Sequence, residues 1–158
     1  MTKLTHTHYV PVREDWLATR PEAALEPELP IIDPHHHLWD RPGWRYLPED
    51  LQADAADGHR VLATVYLQCR AWYRDDGPPS LQPVGETDYV ESVARASAAA
   101  STRLCAAIVS FADLRLGAAV DDVLDAHQAA SPTRFRGIRH GGATDPDPEF
   151  MRQGQRPE

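Results

Sequence analysis

The sequence predicts an α/β protein built on a parallel sheet, and two observations carry that prediction. Four short apolar runs, at residues 29–35, 61–69, 104–111 and 135–140, are separated by helical patterns. Strand–helix alternation of this kind is the mark of βαβ units. The second and third runs are nearly continuous in apolar residues, as strands buried on both faces of a parallel sheet are.

The elements follow in order. Residues 1–28 are polar and broken by Pro11, Pro21 and Pro27, so they predict an N-terminal arm with one helical turn near 14–19. The first strand, 29–35, runs into Asp33-Pro34-His35-His36-His37-Leu38-Trp39-Asp40. Asp40-Arg41-Pro42-Gly43-Trp44 is rich in turn formers. Pro48-Glu49-Asp50-Leu51 opens a helix, with proline in the first turn and acids at the positive end of the dipole. After the second strand, residues 74–80 contain Asp75-Asp76-Gly77-Pro78-Pro79 and exclude regular structure. Thr87 is the expected N-cap of a helix reaching about residue 100. A helix over 117–129 follows the third strand, its stripe formed by Ala119, Val120, Val123, Leu124 and His127. Residues 143–158 carry no element and predict a disordered or truncated tail, which leaves 29–142 as the α/β unit.

The chain of 158 residues suffices for one core. A net charge of −8 leaves no basic stripe for nucleic acid or an anionic membrane. Lys3 is the only lysine, which excludes a Schiff-base or phosphate-loop lysine deep in the chain. Cys69 and Cys105 lie in apolar runs and form no Cys-x-x-Cys pair, so buried free thiols are expected rather than a redox or zinc motif. No stretch has the length of a signal peptide core or a membrane span. The expected setting is a reducing cytoplasm.

The chemistry concentrates at Asp33-x-His35-x-His37. Side chains alternate along a strand, so Asp33, His35 and His37 are expected on one face and His36 on the other. Two imidazoles and a carboxylate can hold a divalent metal or grip a substrate oxygen directly. In parallel α/β folds reactive groups gather at the carboxyl ends of strands. Gln68, Ser110, Arg139 and His140 fall at such ends. Arg139 suits a substrate carboxylate, since a guanidinium binds one through two parallel hydrogen bonds. Gln68 and His140 are equally readable as substrate contacts or as packing groups. Ser110 lacks an activating His–acid pair and reads as structural. Glu86 reads as a complement to a helix dipole, and His127 as a cation at a helix C-terminus. His6, His8 and His59 carry no signal. Trp39, Trp44, Trp72 and Tyr73 read as core or loop anchors.

These residues resemble the amidohydrolase superfamily in its lactonase-like branch. The matching pieces are residues 32–40, Thr64-Val65-Tyr66-Leu67-Gln68, Pro83-Val84-Gly85-Glu86-Thr87, 112–117 and Phe135-Arg136-Gly137-Ile138-Arg139-His140, in the family's order across 29–142. The resemblance implies a (β/α)₈ barrel with His35 and His37 at the end of its first strand. In metal-using members that pair binds one divalent ion, here zinc or manganese; in several lactonase-like members the metal is dispensable and the histidines hold substrate. Arg139 would hold a substrate carboxylate.

Such a barrel needs about 250 residues. Four strand–helix units are expected here, making the chain resemble the N-terminal half of a barrel. The family's later histidines and its general-base aspartate have no counterpart in the sequence. The expected activity is hydrolysis of a lactone of a sugar acid or aromatic-degradation intermediate. The alternatives are a metal-dependent amide hydrolase or decarboxylase of the same superfamily, a metal-binding module, and a fragment inert without a complementary half. Open barrel edges would favour self-association or pairing with such a half.

Overall fold

The computed structural model describes residues 13–42, 44–142 and 146. Most of the expected tail, and residues 1–12 of the arm, lie outside the described residues. Ala24–His140 forms one compact unit, and the described residues 13–23 belong to a second. In the second of these, α1 (Glu14–Leu17) is the helical turn the sequence predicts.

In the larger unit the chain runs β1 (Pro30–His36), β2 (Trp39–Arg41), β3 (Trp44–Tyr46), α2 (Pro48–Ala55), β4 (Arg60–Leu67) and α3 (Val84–Ala96). It continues through β5 (Arg103–Phe111), a 3₁₀ segment (Leu114–Ala119), α4 (Val120–Ala130) and β6 (Phe135–Arg139). The four expected strands form one sheet in the order β1-β4-β5-β6, with every pairing parallel. Crossovers of one hand between strands in sequential order lay each helix on the same face.

That face holds the core. Tyr66 of β4 and Leu104 and Ile108 of β5 meet Leu51 of α2 and Val90, Val93 and Ala94 of α3. Each such aliphatic side chain, fully buried, contributes about 1.5–3 kcal/mol. The opposite face is barely covered: Ile32 is 61% exposed, and Val65, Leu67, Val109 and Phe111 are half-buried. The expectation of strands buried on both faces therefore holds for one face of this sheet.

Three local expectations change. The turn-rich segment after the histidines contains a two-stranded antiparallel hairpin, β2 with β3, pairing Trp39 with Tyr46 and Arg41 with Trp44. The third helix starts at Val84 and ends at Ala96, so Thr87 lies inside it and is no N-cap. The predicted helix over 117–129 is broken at Gly117, whose φ of 59° lies in the left-handed region that glycine enters without strain. Only the portion from Val120 is α-helical. Both cysteines are buried free thiols, as expected; burial raises their pKa values to about 12. Among the described residues no helix is long and apolar enough to cross a membrane.

Candidate functional site

The carboxyl ends of the four parallel strands lie along one edge of the sheet, in the order β1, β4, β5, β6. At the end of β1 the register slips between Asp33 and His36. A bulge of this kind re-aims the side chains around it. His36 turns towards the helices, as expected, with its Nε2 2.8 Å from Thr64 Oγ1 and only 7% of the residue exposed. Burial lowers its pKa to about 4, so the imidazole is neutral. The expectation that Asp33 shares a face with His35 and His37 fails at the bulge. Asp33 Oδ1 accepts the His35 backbone N–H at 3.0 Å. Its side chain lines a cavity of about 460 Å³ with Tyr46, Leu51, Asp54 and Thr64.

His35 and His37 converge. Their Nε2 atoms are 3.3 Å apart, and the rings meet edge to face. His37 Nδ1 lies 2.7 Å from the Leu67 carbonyl. A carbonyl can only accept, so Nδ1 carries the proton, and in the neutral ring Nε2 carries the lone pair. His35 Nε2–H then donates to that lone pair. The His37 ring also packs edge-on against Trp39.

Successive carbonyls from the last residue of β4 onward are held by basic side chains of β2, of β6 and of the turn after β1. His37 donates to Leu67 O, Arg139 Nη2 to Gln68 O at 2.5 Å, and Arg41 Nη2 to Cys69 O and Arg70 O at 2.9 and 3.0 Å. Arg41 lies over the Trp39 ring, 4.6 Å from its centroid. The rim thus gathers His35, His37, Gln68 and Arg139 as the sequence predicted, and adds Arg41. Gln68 is buried, and its Oε1 has no hydrogen-bond partner among the described residues. His140 follows β6; its Nδ1 accepts the Leu114 N–H at 3.0 Å, which leaves the proton on Nε2. It packs against Phe111 and lies 3.7 Å from Asp113. Asp113 is paired with Arg115, whose hydrogen bonds hold its pKa well below the usual carboxylate range.

The same loop is held from behind by Glu86. The expected role of this residue, complement to a helix dipole, is corrected by its contacts: it is 2% exposed and its Oε1 accepts from Tyr66 Oη, Cys69 N and Ala71 N at 2.6, 2.8 and 3.3 Å. Burial raises its pKa. Gly85 lets α3 come this close, because a Cβ there would sit 2.5 Å from Trp72 O and 2.8 Å from Arg74 N. His127 is likewise no cation at a helix end. It is fully buried, with Nε2 donating to Phe111 O at 2.9 Å and Nδ1 accepting from Thr87 at 2.9 Å. Burial lowers its pKa. Thr87 also reaches Ser110 at 2.7 Å, so Ser110 is a structural group facing the helices.

Arg41 and the working role of Glu86 are the two features the sequence did not disclose. Arg41 sits two residues after Trp39, and that spacing puts both on one face if the segment is a strand; reading it as a turn hid the pairing. The close run Gly85-Glu86-Thr87 was the signal for Glu86. Among the described residues no group of three or more His, Cys, Asp or Glu side chains is arranged to hold a metal ion. No family model, curated protein or solved structure matches this chain.

Proposed function

We propose that this chain carries part of an amidohydrolase-type hydrolytic site for a lactone, with His35 and His37 at its centre and Arg139, His140 and Gln68 as substrate contacts. The observation that carries the reading is the 3.3 Å separation of the two Nε2 atoms. Tetrahedral zinc with Zn–N bonds of about 2.0–2.1 Å sets neighbouring ligand nitrogens about 3.3–3.4 Å apart. The backbone hydrogen bond that fixes His37 is the kind of outer contact that accompanies metal-binding imidazoles. The pair therefore fits one divalent ion once His35 gives up its Nε2 proton, although two ligands are fewer than a catalytic zinc site ordinarily takes. When bound, such an ion polarises an ester carbonyl and lowers the pKa of water.

The chain's own residues supply the remaining roles. Arg139 and His140 present donors at the rim, suited to a substrate carboxylate or a developing oxyanion. Gln68 Oε1, a buried acceptor without a partner among the described residues, suits a substrate hydroxyl. Asp113 is a poor base, because Arg115 keeps it ionised far below neutral pH. The singly wound parallel sheet, with one face left open, is compatible with the first half of a (β/α)₈ barrel. The resemblance of residues 29–142 to lactonase-like amidohydrolases selects the reaction.

A second reading, a chain that works only when its sheet is completed, is favoured by the edges. β1 and β6 each have an unpaired side in this sheet, and the open face carries Ile32. The deciding experiment assays the purified full chain against a panel of sugar-acid and aromatic-derived lactones, with zinc, with manganese and with chelator, while its mass in solution is measured. Lactone opening abolished by His35→Ala and His37→Ala supports the first reading. Inactivity of a monodisperse monomer with every lactone and metal overturns it.

A further inference from the structure

The loop that follows β4 is held on two sides. Its carbonyls, from Leu67 to Arg70, face His37, Arg139 and Arg41. Its N–H groups at Cys69 and Ala71 face one carboxylate oxygen of Glu86. Peptide units are rigid and planar, so an N–H fixed behind the loop fixes the direction of the carbonyl in front. The carbonyl of Gln68 and the N–H of Cys69 belong to one peptide unit, and so do the carbonyl of Arg70 and the N–H of Ala71. Glu86 therefore sets the two peptide planes on which Arg139 and Arg41 rest.

The backbone supplies an independent observation. Arg70 and Trp72 have φ of 62° and 51°, a left-handed conformation unfavourable for side chains of that size. Strained residues persist only where their surroundings over-determine them. Here the surroundings are Glu86 behind, Arg41 in front, and Gly85, which allows Trp72 O and Arg74 N to approach α3. A carboxylate 2% exposed, with three donors on one oxygen, is a costly arrangement. A helix needs no such group, since a dipole complement works from the surface.

We infer that Glu86 is a positioning residue for the rim: through the β4–α3 loop it sets the orientation of Arg41 and Arg139 without reaching substrate itself. The Leu67 carbonyl beneath His37 belongs to a different peptide unit, whose N–H at Gln68 donates to Val109 O at 2.8 Å. The inference deepens the proposed function and rests on it for the meaning of the rim, but its geometry can be tested without metal or substrate.

The test compares the full-length wild type with Glu86→Leu, which removes the acceptor at similar volume, and Glu86→Gln, which keeps an acceptor oxygen. The side-chain Nε–H signals of Arg41 and Arg139 are read by ¹⁵N NMR on arginine-labelled, metal-free protein, each assigned by its lysine variant. In the wild type and in Glu86→Gln, both signals are sharp and dispersed, as for guanidinium groups held on fixed carbonyls. In Glu86→Leu, with circular dichroism unchanged, both broaden or move to the position of a solvent-exposed arginine. If Glu86→Leu does not fold, Glu86→Asp, which withdraws the carboxylate by one methylene, carries the same comparison. A folded Glu86→Leu or Glu86→Asp with the wild-type arginine signals overturns the inference. Wild-type protein that opens no lactone overturns the proposed function alone, and the arginine signals still decide the role of Glu86.

Discussion

His37 donates its Nδ1 proton to the carbonyl of Leu67, 2.7 Å away and thirty positions along the chain. This one bond joins β1 to the end of β4 and leaves the Nε2 lone pair facing His35. A metal-binding imidazole needs that preorganisation. Under the proposed function, replacing His37 with alanine is expected to abolish zinc binding by the full chain, as is His35→Ala, with stability changed by less than about 1 kcal/mol at the exposed His35. Titration calorimetry of the two variants and their double checks this; zinc retained by the double variant removes both residues from the ligand set.

His36 gives the fold a pH dependence. Its folded pKa, about 4, lies below the ordinary value of 6.5, so the unfolded chain binds the proton more readily. The stability contributed by the neutral ring is present in full above pH 6.5 and is lost as pH falls towards 4. The gap between the two pKa values makes the full loss about 3 kcal/mol. Glu86, whose pKa is raised by burial, works in the opposite sense as it ionises. The comparison is therefore between wild type and His36→Asn in urea at pH 7 and pH 4.5. The wild type should lose more stability than the variant, and equal losses would remove His36 as the cause.

Gly85 marks the closest approach of α3 to the β4–α3 loop. An alanine Cβ would meet Trp72 O at 2.5 Å, a backbone atom that cannot swing aside. Gly85→Ala is expected to cost about 1–3 kcal/mol, the scale of overpacking a dense site. A thermal melt checks it; an unchanged melting temperature would mean that the loop yields freely.

The buried chain from Ser110 through Thr87 and His127 to Phe111 O ties α3 and α4 to β5. Thr87→Val keeps the shape and removes the hydroxyl, leaving His127 Nδ1 without its donor. The expected cost is about 1–3 kcal/mol, measured by urea unfolding. No loss of stability would mean that the chain adds nothing beyond packing.

The open face makes the opposite forecast. Ile32 is 61% exposed on an edge strand, so Ile32→Lys should change monomer stability by no more than about 0.5 kcal/mol. A charge on an edge strand opposes edge-to-edge pairing, so any self-association that sedimentation detects in the wild type should decrease in the variant. Unfolding of this variant would mean that Ile32 is covered in solution.

The strands were legible because each needs only an apolar run of the right length, and burial against the helices fixes which runs become strands. His35, His37, Gln68 and Arg139 were legible as rim residues because parallel topology sends strand ends to one place whatever the side chains. Asp33 was misread because a bulge changes the alternation, and nothing in Asp-Pro-His announces which residue will bulge. Thr87 was misread because its hydroxyl suits a cap in isolation, whereas Ser110 and His127 claim it across the core.

By itself the sequence determined the order of the four parallel strands and the helices between them, the buried thiols and the two histidines at the end of the first strand. Those follow from local propensity, burial and the two-residue period of a strand. Tertiary structure alone decided that His37 points its lone pair at His35, that Arg41 joins the rim, and that Glu86 is buried behind the loop after β4. Each of these depends on a backbone group far away in sequence, at Leu67, Cys69, Arg70 or Ala71, and every residue type except proline offers the same backbone N–H and carbonyl. A hydrogen bond to the main chain leaves no trace in the identity of its partner.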